Sequence, residues 1–112
     1  MKLTLEKNKN FNVVWVQEER IDAHNSAGLK EYILNLLEEG EHNLVVQLEQ
    51  VRFIDSSGLG ALLSGYKNAA SRSGKLVLSN IQPQVLAMFE LTRLNRVFEI
   101  YLDVDEALAN QT

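Results

Sequence analysis

The segment Leu44-Val45-Val46-Gln47-Leu48, apolar but for one glutamine, stands between two stretches of helical periodicity. A run this short and β-branched reads as a strand buried on both faces, the kind found inside a parallel sheet. Before it, Leu29, Ile33, Leu36 and Leu37 repeat at helical spacing with Tyr32 beside them, and a helix is expected over about residues 25–39. Asn25 and Ser26 are its expected caps, and Gly40 its stop. After it, Leu59, Leu62, Leu63, Tyr66 and Ala70 form the stripe of a helix expected over about 58–73. The stretch 49–57 between them reads as a connection, tied to the core by Val51, Phe53 and Ile54.

The same alternation extends both ways. Lys75 to Ser79 is the next expected strand, with Gly74 as the stop before it. Pro83 suits the first turn of a helix carrying Val85, Leu86, Met88 and Phe89. Val97 to Tyr101 reads as a last strand, and Asp103 or Asp105 as the start of a short final helix. At the N-terminus, period-two patterning predicts strands over about 2–7 and 11–17, joined by Asn8-Lys9-Asn10. The order is therefore β-β-α-β-α-β-α-β-α. It predicts an α/β fold, a mixed sheet of four to five strands with about four helices. Crossovers should be right-handed, with functional loops at the carboxyl ends of the parallel strands.

Composition narrows the function. A chain of 112 residues is expected to form one domain over 1–112, and no proline-, glycine- or serine-rich linker divides it. There are no cysteines, which excludes disulfides and thiolate chemistry. The net charge of −4 (11 basic against 15 acidic residues) weighs against nucleic acid as the main partner, because phosphate binding needs a cationic face. No stretch has the length and apolarity for membrane insertion, and the first residues, MKLTLEKNKNF, lack the apolar core of a signal peptide. The expected location is cytoplasmic.

One segment exceeds what a scaffold needs. Ile54-Asp55-Ser56-Ser57-Gly58-Leu59-Gly60 puts an acid, two hydroxyls and two glycines at a strand-to-helix junction. The plainest reading makes Ser56 or Ser57 the N-cap, with Asp55 favouring the positive helix end. Two glycines do not serve that purpose, since each costs a helix up to ~1 kcal/mol against alanine. Glycine here permits close approach of another backbone or a ligand. Catalytic patterns do not fit. A nucleophile elbow around Ser57 would need glycine where Asp55 and Leu59 stand. The dinucleotide pattern opening at Gly58 and Gly60 meets Leu63 in its third glycine position. A P-loop from Gly60 to Gly65 has Tyr66 where lysine must be. His24 near Asp22 does not make a metal site, which needs about four ligands, and His42 sits in a polar turn. No motif supports a Ser57–His24–Asp22 triad. No metal and no cofactor are expected.

Phe53-Ile54-Asp55-Ser56-Ser57-Gly58-Leu59-Gly60-Ala61-Leu62-Leu63 resembles the signature of the bacterial anti-sigma factor antagonists, the single-domain STAS proteins. Arg20-Ile21-Asp22-Ala23 is similar to the family's first loop, Leu44 to Leu48 to its central strand, and Leu91 to Ile100 to its late helix-to-strand segment. The resemblance implies a STAS-like fold and a partner-switching regulator. In that family the unmodified antagonist binds an anti-sigma factor, itself a GHKL-type serine kinase, and the sigma factor is released. The kinase phosphorylates the second hydroxyl of the motif, here Ser57 (with Ser56 as the alternative), and a PP2C-type phosphatase reverses it. No catalytic residue in this chain is implied. The expected contact residues are Asp22, His24, Asn25, Asp55, Ser56, Ser57, Gly58, Leu59 and Gly60. Ser57 is preferred mainly by the resemblance; the room that Gly58 leaves for a kinase agrees. Two alternatives remain: a STAS module acting on a non-sigma target, in a lipid-transport or stress-sensing assembly, and a small nucleotide-binding or hydrolytic protein, which the broken P-loop disfavours.

Overall fold

The computed structural model of the chain describes residues 1–111. It opens with a hairpin. β1 (Leu3–Asn8) and β2 (Phe11–Val16) pair antiparallel, from Leu3 opposite Val16 to Asn8 opposite Phe11. Asn8 still belongs to the strand, so the turn is Lys9-Asn10 alone. β3 (Arg20–Ile21) follows, then α1 (Ser26–Glu38) and β4 (Asn43–Gln47). β5 (Phe53–Ile54) leads into α2 (Ser56–Ser71), and β6 (Lys75–Ser79) into α3 (Pro83–Leu91). A 3₁₀ turn (Leu94–Arg96), β7 (Ile100–Tyr101) and α4 (Val104–Ala109) complete the chain.

The main sheet is mixed, with strand order β1-β2-β4-β6-β7. β4 pairs parallel with β2 on one side and β6 on the other. Its apolar residues explain that place. Leu44 and Val46 face the large core under α1, α2 and α3, while Val45 faces the smaller one under α4. Leu44, Val45 and Val46 are each 0% exposed, and so is Leu48 just beyond the strand. A strand covered on both faces has no use for polar alternation. The expected mixed α/β architecture with four helices is therefore found.

Helix ends follow local chemistry. Gly40, with φ +97°, takes the left-handed turn that ends α1. At the end of α2 that conformation belongs to Ser73 (φ 60°). Gly74 is needed for another reason: a Cβ there would stand 2.1 Å from the His42 carbonyl oxygen. The start of β6 can lie beside His42 only without a side chain.

Three further expectations change. Val97 to Tyr101 does not form a continuous strand; only Ile100 and Tyr101 pair, with Leu78 and Ser79. Phe98 instead turns into the core, edge-on to Tyr66 at 5.3 Å and to Phe89 at 5.6 Å between ring centroids, and that aromatic packing outweighs strand extension. The connection 49–57 is not featureless. β5 pairs parallel with β3 as a separate two-stranded sheet, Arg20 beside Phe53 and Ile21 beside Ile54. Strand alternation buries Ile21 and Ile54 and turns Phe53 outward, 41% exposed, so Phe53 does not anchor the core. Finally, α2 begins at Ser56, two residues earlier than expected.

Leu62, on the inner face of α2, is 0% exposed. Leu62→Ala is expected to lower unfolding free energy by about 2–5 kcal/mol. Urea denaturation followed by circular dichroism checks it.

Candidate functional site

The β5–α2 junction is organised by one carboxylate. Asp55 has extended backbone (φ −107°, ψ −175°) and is itself the N-cap of α2. Its Oδ1 accepts from the Gly58 amide at 3.0 Å and from the Ser57 hydroxyl at 2.7 Å. Its Oδ2 accepts from the Ala23 amide at 3.2 Å, across from the β3–α1 loop. These donors hold the Asp55 carboxyl below its ordinary range. The Ser57 hydroxyl contributes most and the Gly58 amide next, with desolvation acting the other way and the Ser57 and Ala23 amides adding smaller contributions. The cap is thus the aspartate and neither serine. Ser57 stands inside the first turn and lends its proton to the cap, while Ser56 is exposed.

The glycines have different roles. A Cβ on Gly58 would lie 2.7 Å from Ile54 Cγ1, 2.8 Å from Ile21 Cγ2 and 2.8 Å from the Ile21 carbonyl oxygen. Gly58 therefore lets α2 start directly against β3, and the backbone it admits is the chain's own. It does not open space for an outside molecule. Gly60 is exposed, and a Cβ there would meet nothing within 4 Å. Leu59 is 4% exposed and belongs to the core.

The loop facing Asp55 is held from within. The Asn25 side chain accepts from the Asp22 amide at 2.9 Å and donates to the Arg20 carbonyl at 2.8 Å. It makes no cap bond to α1, although Asn25 occupies the cap position. Asp22 Oδ1 accepts from the His24 amide at 3.0 Å, and the exposed His24 ring lies 3.7 Å from that same oxygen. Beside the loop, the Arg20 guanidinium stacks over the Phe53 ring at 4.1 Å, within cation–π range, and its Nε lies 3.4 Å from Asp22 Oδ2.

The fold therefore brings Asp55, Ser56, Ser57 and Gly60 to one surface with the 22–25 loop, which Ala23 joins to Asp55. Gly58 and Leu59 lie beneath that surface as support. Arg20 and Phe53 are the residues that sequence reasoning missed as part of it. Their signal is the register of two two-residue strands, too short to show a period. Among the described residues, no group of three or more His, Cys, Asp or Glu side chains is placed to hold a metal. None of the helices described has the length and apolarity to cross a membrane.

A sheet of this order, with a capped Asp-Ser-Ser-Gly turn feeding its second helix, defines a small mixed α/β domain. The profile of the STAS domain matches residues 2–107, and the chain belongs to the STAS domain family. It is 28% identical over 101 residues to the anti-sigma-B factor antagonist of Bacillus subtilis, covering 89% of this chain and 92% of that one. Its structure is similar to an anti-sigma factor antagonist from Mycobacterium paratuberculosis (TM-score 0.85, 26% identity, 96% of this chain and 91% of that one). It also shares its fold with the phosphorylated form of the Bacillus cell fate determinant SpoIIAA (TM-score 0.76, 20% identity, 99% and 100% covered).

Two measurements follow from the geometry. In an NMR titration the Asp55 carboxyl should protonate below the ordinary value of about 3.9, and Ser57→Ala should move it upward, since the hydroxyl is its strongest stabiliser. A depressed folded-state pKa stabilises the fold above the unfolded value, and that contribution disappears as pH falls through the folded value. Separately, Gly58→Ala should destabilise by about 1–3 kcal/mol through overpacking, whereas Gly60→Ala should stabilise by up to about 1 kcal/mol through helix propensity. Denaturant midpoints distinguish the two.

Proposed function

We propose that this chain is an anti-sigma factor antagonist in a partner-switching system. Working as one domain over residues 1–112 in the cytoplasm, the unmodified protein binds an anti-sigma factor that is also a GHKL-type serine kinase, and so frees the sigma factor. The kinase phosphorylates Ser57, binding ends, and a PP2C-type phosphatase restores the hydroxyl. The chain is substrate and binder and performs no catalysis of its own. The observation that carries this reading is the placement of the Ser57 hydroxyl, partly exposed in the first turn of α2 and bonded to the cap. The names of the relatives and the existence of a phosphorylated form of SpoIIAA support it.

The contact surface comprises Asp22, His24, Asn25, Asp55, Ser56, Ser57 and Gly60, with Arg20 and Phe53 added at its edge. Aromatic residues and arginine are enriched at protein interfaces, and Phe53 is exposed with Arg20 stacked on it. Gly60, open above its Cα, leaves the start of α2 flat for close approach. Gly58 and Leu59 act from below by fixing where α2 begins.

Magnitudes locate the switch. A phosphate adds about −1.5 to −2 charges. At a helix N-terminus an anion gains about 0.3–1 kcal/mol from the dipole, and repulsion from the neighbouring Asp55 carboxylate opposes that gain locally, so the net effect on the fold is small beside the effect on an interface. Across an interface, like charges about 4 Å apart repel by about 4 kcal/mol at an effective dielectric of roughly 20. Since about 1.4 kcal/mol is tenfold in affinity, a dianion facing an acidic or apolar partner surface lowers binding by orders of magnitude.

Incubation with the cognate kinase and ATP, followed by mass spectrometry, should place the phosphate on Ser57; phosphate on Ser56 alone would overturn the assignment. Ser57→Asp should weaken binding to the kinase at least tenfold with an unchanged circular dichroism spectrum. Binding equal to wild type would contradict the electrostatic switch.

A further inference from the structure

The side-chain hydrogen bonds of the β3–α1 loop stay within residues 20–25, with one exception. Arg20 pairs with Asp22, Asp22 with Asn25 and His24, and Asn25 with Arg20. The exception is the Ala23 amide, which donates to Asp55 Oδ2 at 3.2 Å. The other oxygen of the same carboxylate accepts from Ser57 and Gly58 at the start of α2. One rigid group thus clamps together the two segments of the proposed contact surface, and the residue at the end of the clamp is the proposed phosphorylation site.

We propose that Asp55 couples the two segments, so that phosphorylation of Ser57 releases the Ala23 amide and loosens the 22–25 loop. The inference rests on the function proposed above and specifies how the modification is read. In the transfer, the Ser57 Oγ–P bond forms, the bond between the γ-phosphorus of ATP and the ADP oxygen breaks, and the hydroxyl proton leaves to the kinase's base. Asp55 Oδ1 then loses an O–H donor 2.7 Å away and faces a phosphate dianion in its place. The Ser57 hydroxyl is the largest of the contributions that keep this carboxylate ionised. Its replacement by a like charge drives the carboxylate away from Oγ. Because the two oxygens are rigidly joined, rotation that relieves Oδ1 also displaces Oδ2 from Ala23 and lengthens the cap bond from the Gly58 amide to Oδ1. The backbone bond from the Asp55 amide to the Ile21 carbonyl, at 3.2 Å, does not involve the side chain and stays in place. The fold is therefore kept while one face of the loop is freed, and a single phosphate alters both segments that a partner would touch.

The test needs no partner protein. Phosphoserine is incorporated directly at position 57 during synthesis, and Ala23 is followed by amide chemical shift and by hydrogen exchange. A hydrogen bond to a charged acceptor is strong enough for its loss to speed local exchange by about tenfold or more. Ala23 should show that acceleration and an upfield amide shift in the phosphorylated protein, while the Asp55 amide changes little. In Asp55→Asn, where one amide oxygen cannot serve both sides, Ala23 should already be free, with no further change on phosphorylation. Asp55→Ser, which keeps an N-cap oxygen but is too short to span to Ala23, should behave the same way and guards against misfolding of the first variant. An Ala23 amide unaltered by phosphorylation would overturn the coupling, as would an equal response in the wild type and both variants. A released Ala23 in a protein whose kinase affinity is unaffected by the phosphate would support the coupling and refute the partner switch.

Discussion

Everything in this fold is arranged around a strand that cannot meet water. Leu44, Val45 and Val46 are buried on both faces of β4, and that strand is held parallel between β2 and β6. Parallel neighbours cannot be joined by tight turns, so the chain must travel back over a sheet face between them, here through α1 and α2. The two helices meet each other as well as the sheet, and their apolar stripes close the large core. The return path fixes where helices begin. α2 starts just past the short strand that follows β4, at the end of the sheet where functional loops of parallel folds gather.

The site is a by-product of how tightly that return is made. Gly58 admits the Ile21 backbone at a distance no other residue would allow. That approach puts β3 beside β5 and brings the 22–25 loop within reach of Asp55. A carboxylate at this point satisfies a free amide of the helix start, as helix ends require, and still has an oxygen for the loop. Ser57 adds its hydroxyl to the same group. As the proposed phosphate acceptor, Ser57 is addressed by its neighbours while its side chain stays at the surface of the fold. The Ser57 side chain is not among the buried core residues, and its one side-chain hydrogen bond is to the Asp55 cap, so a modification there meets the start of α2 before it meets the core.

How much of this is legible in the residues depends on period and length. Leu29, Ile33, Leu36 and Leu37 mark α1 to within a residue at each end, and the buried run at Leu44 marks β4, because burial imposes a repeat over many positions. The junction motif is legible as chemistry, and its resemblance to the STAS signature agrees with the family match. The internal logic of the motif is not. Which residue caps α2 depends on where the backbone turns helical: Asp55 is still extended and its carboxylate reaches the Gly58 amide, whereas Ser56 and Ser57 already lie in the helix. Phe53 looks apolar enough for the core, but a two-residue strand has no period to reveal its face, and the Arg20 that covers it lies 33 positions away in the chain. Phe98 ends the regularity of the last strand through contacts with Tyr66 and Phe89 that only the folded chain assembles.

The central claim is that modification of Ser57 acts at a surface and leaves the core alone. A single preparation, phosphorylated to completion at Ser57, tests it when calorimetric titration with the cognate anti-sigma factor is paired with the amide spectrum of the free protein. The expected result is an affinity at least tenfold weaker than that of the unmodified protein, with the amide resonances of β4 and β6 unmoved. Unchanged affinity, or a loss of affinity accompanied by displaced β4 and β6 resonances, would contradict it.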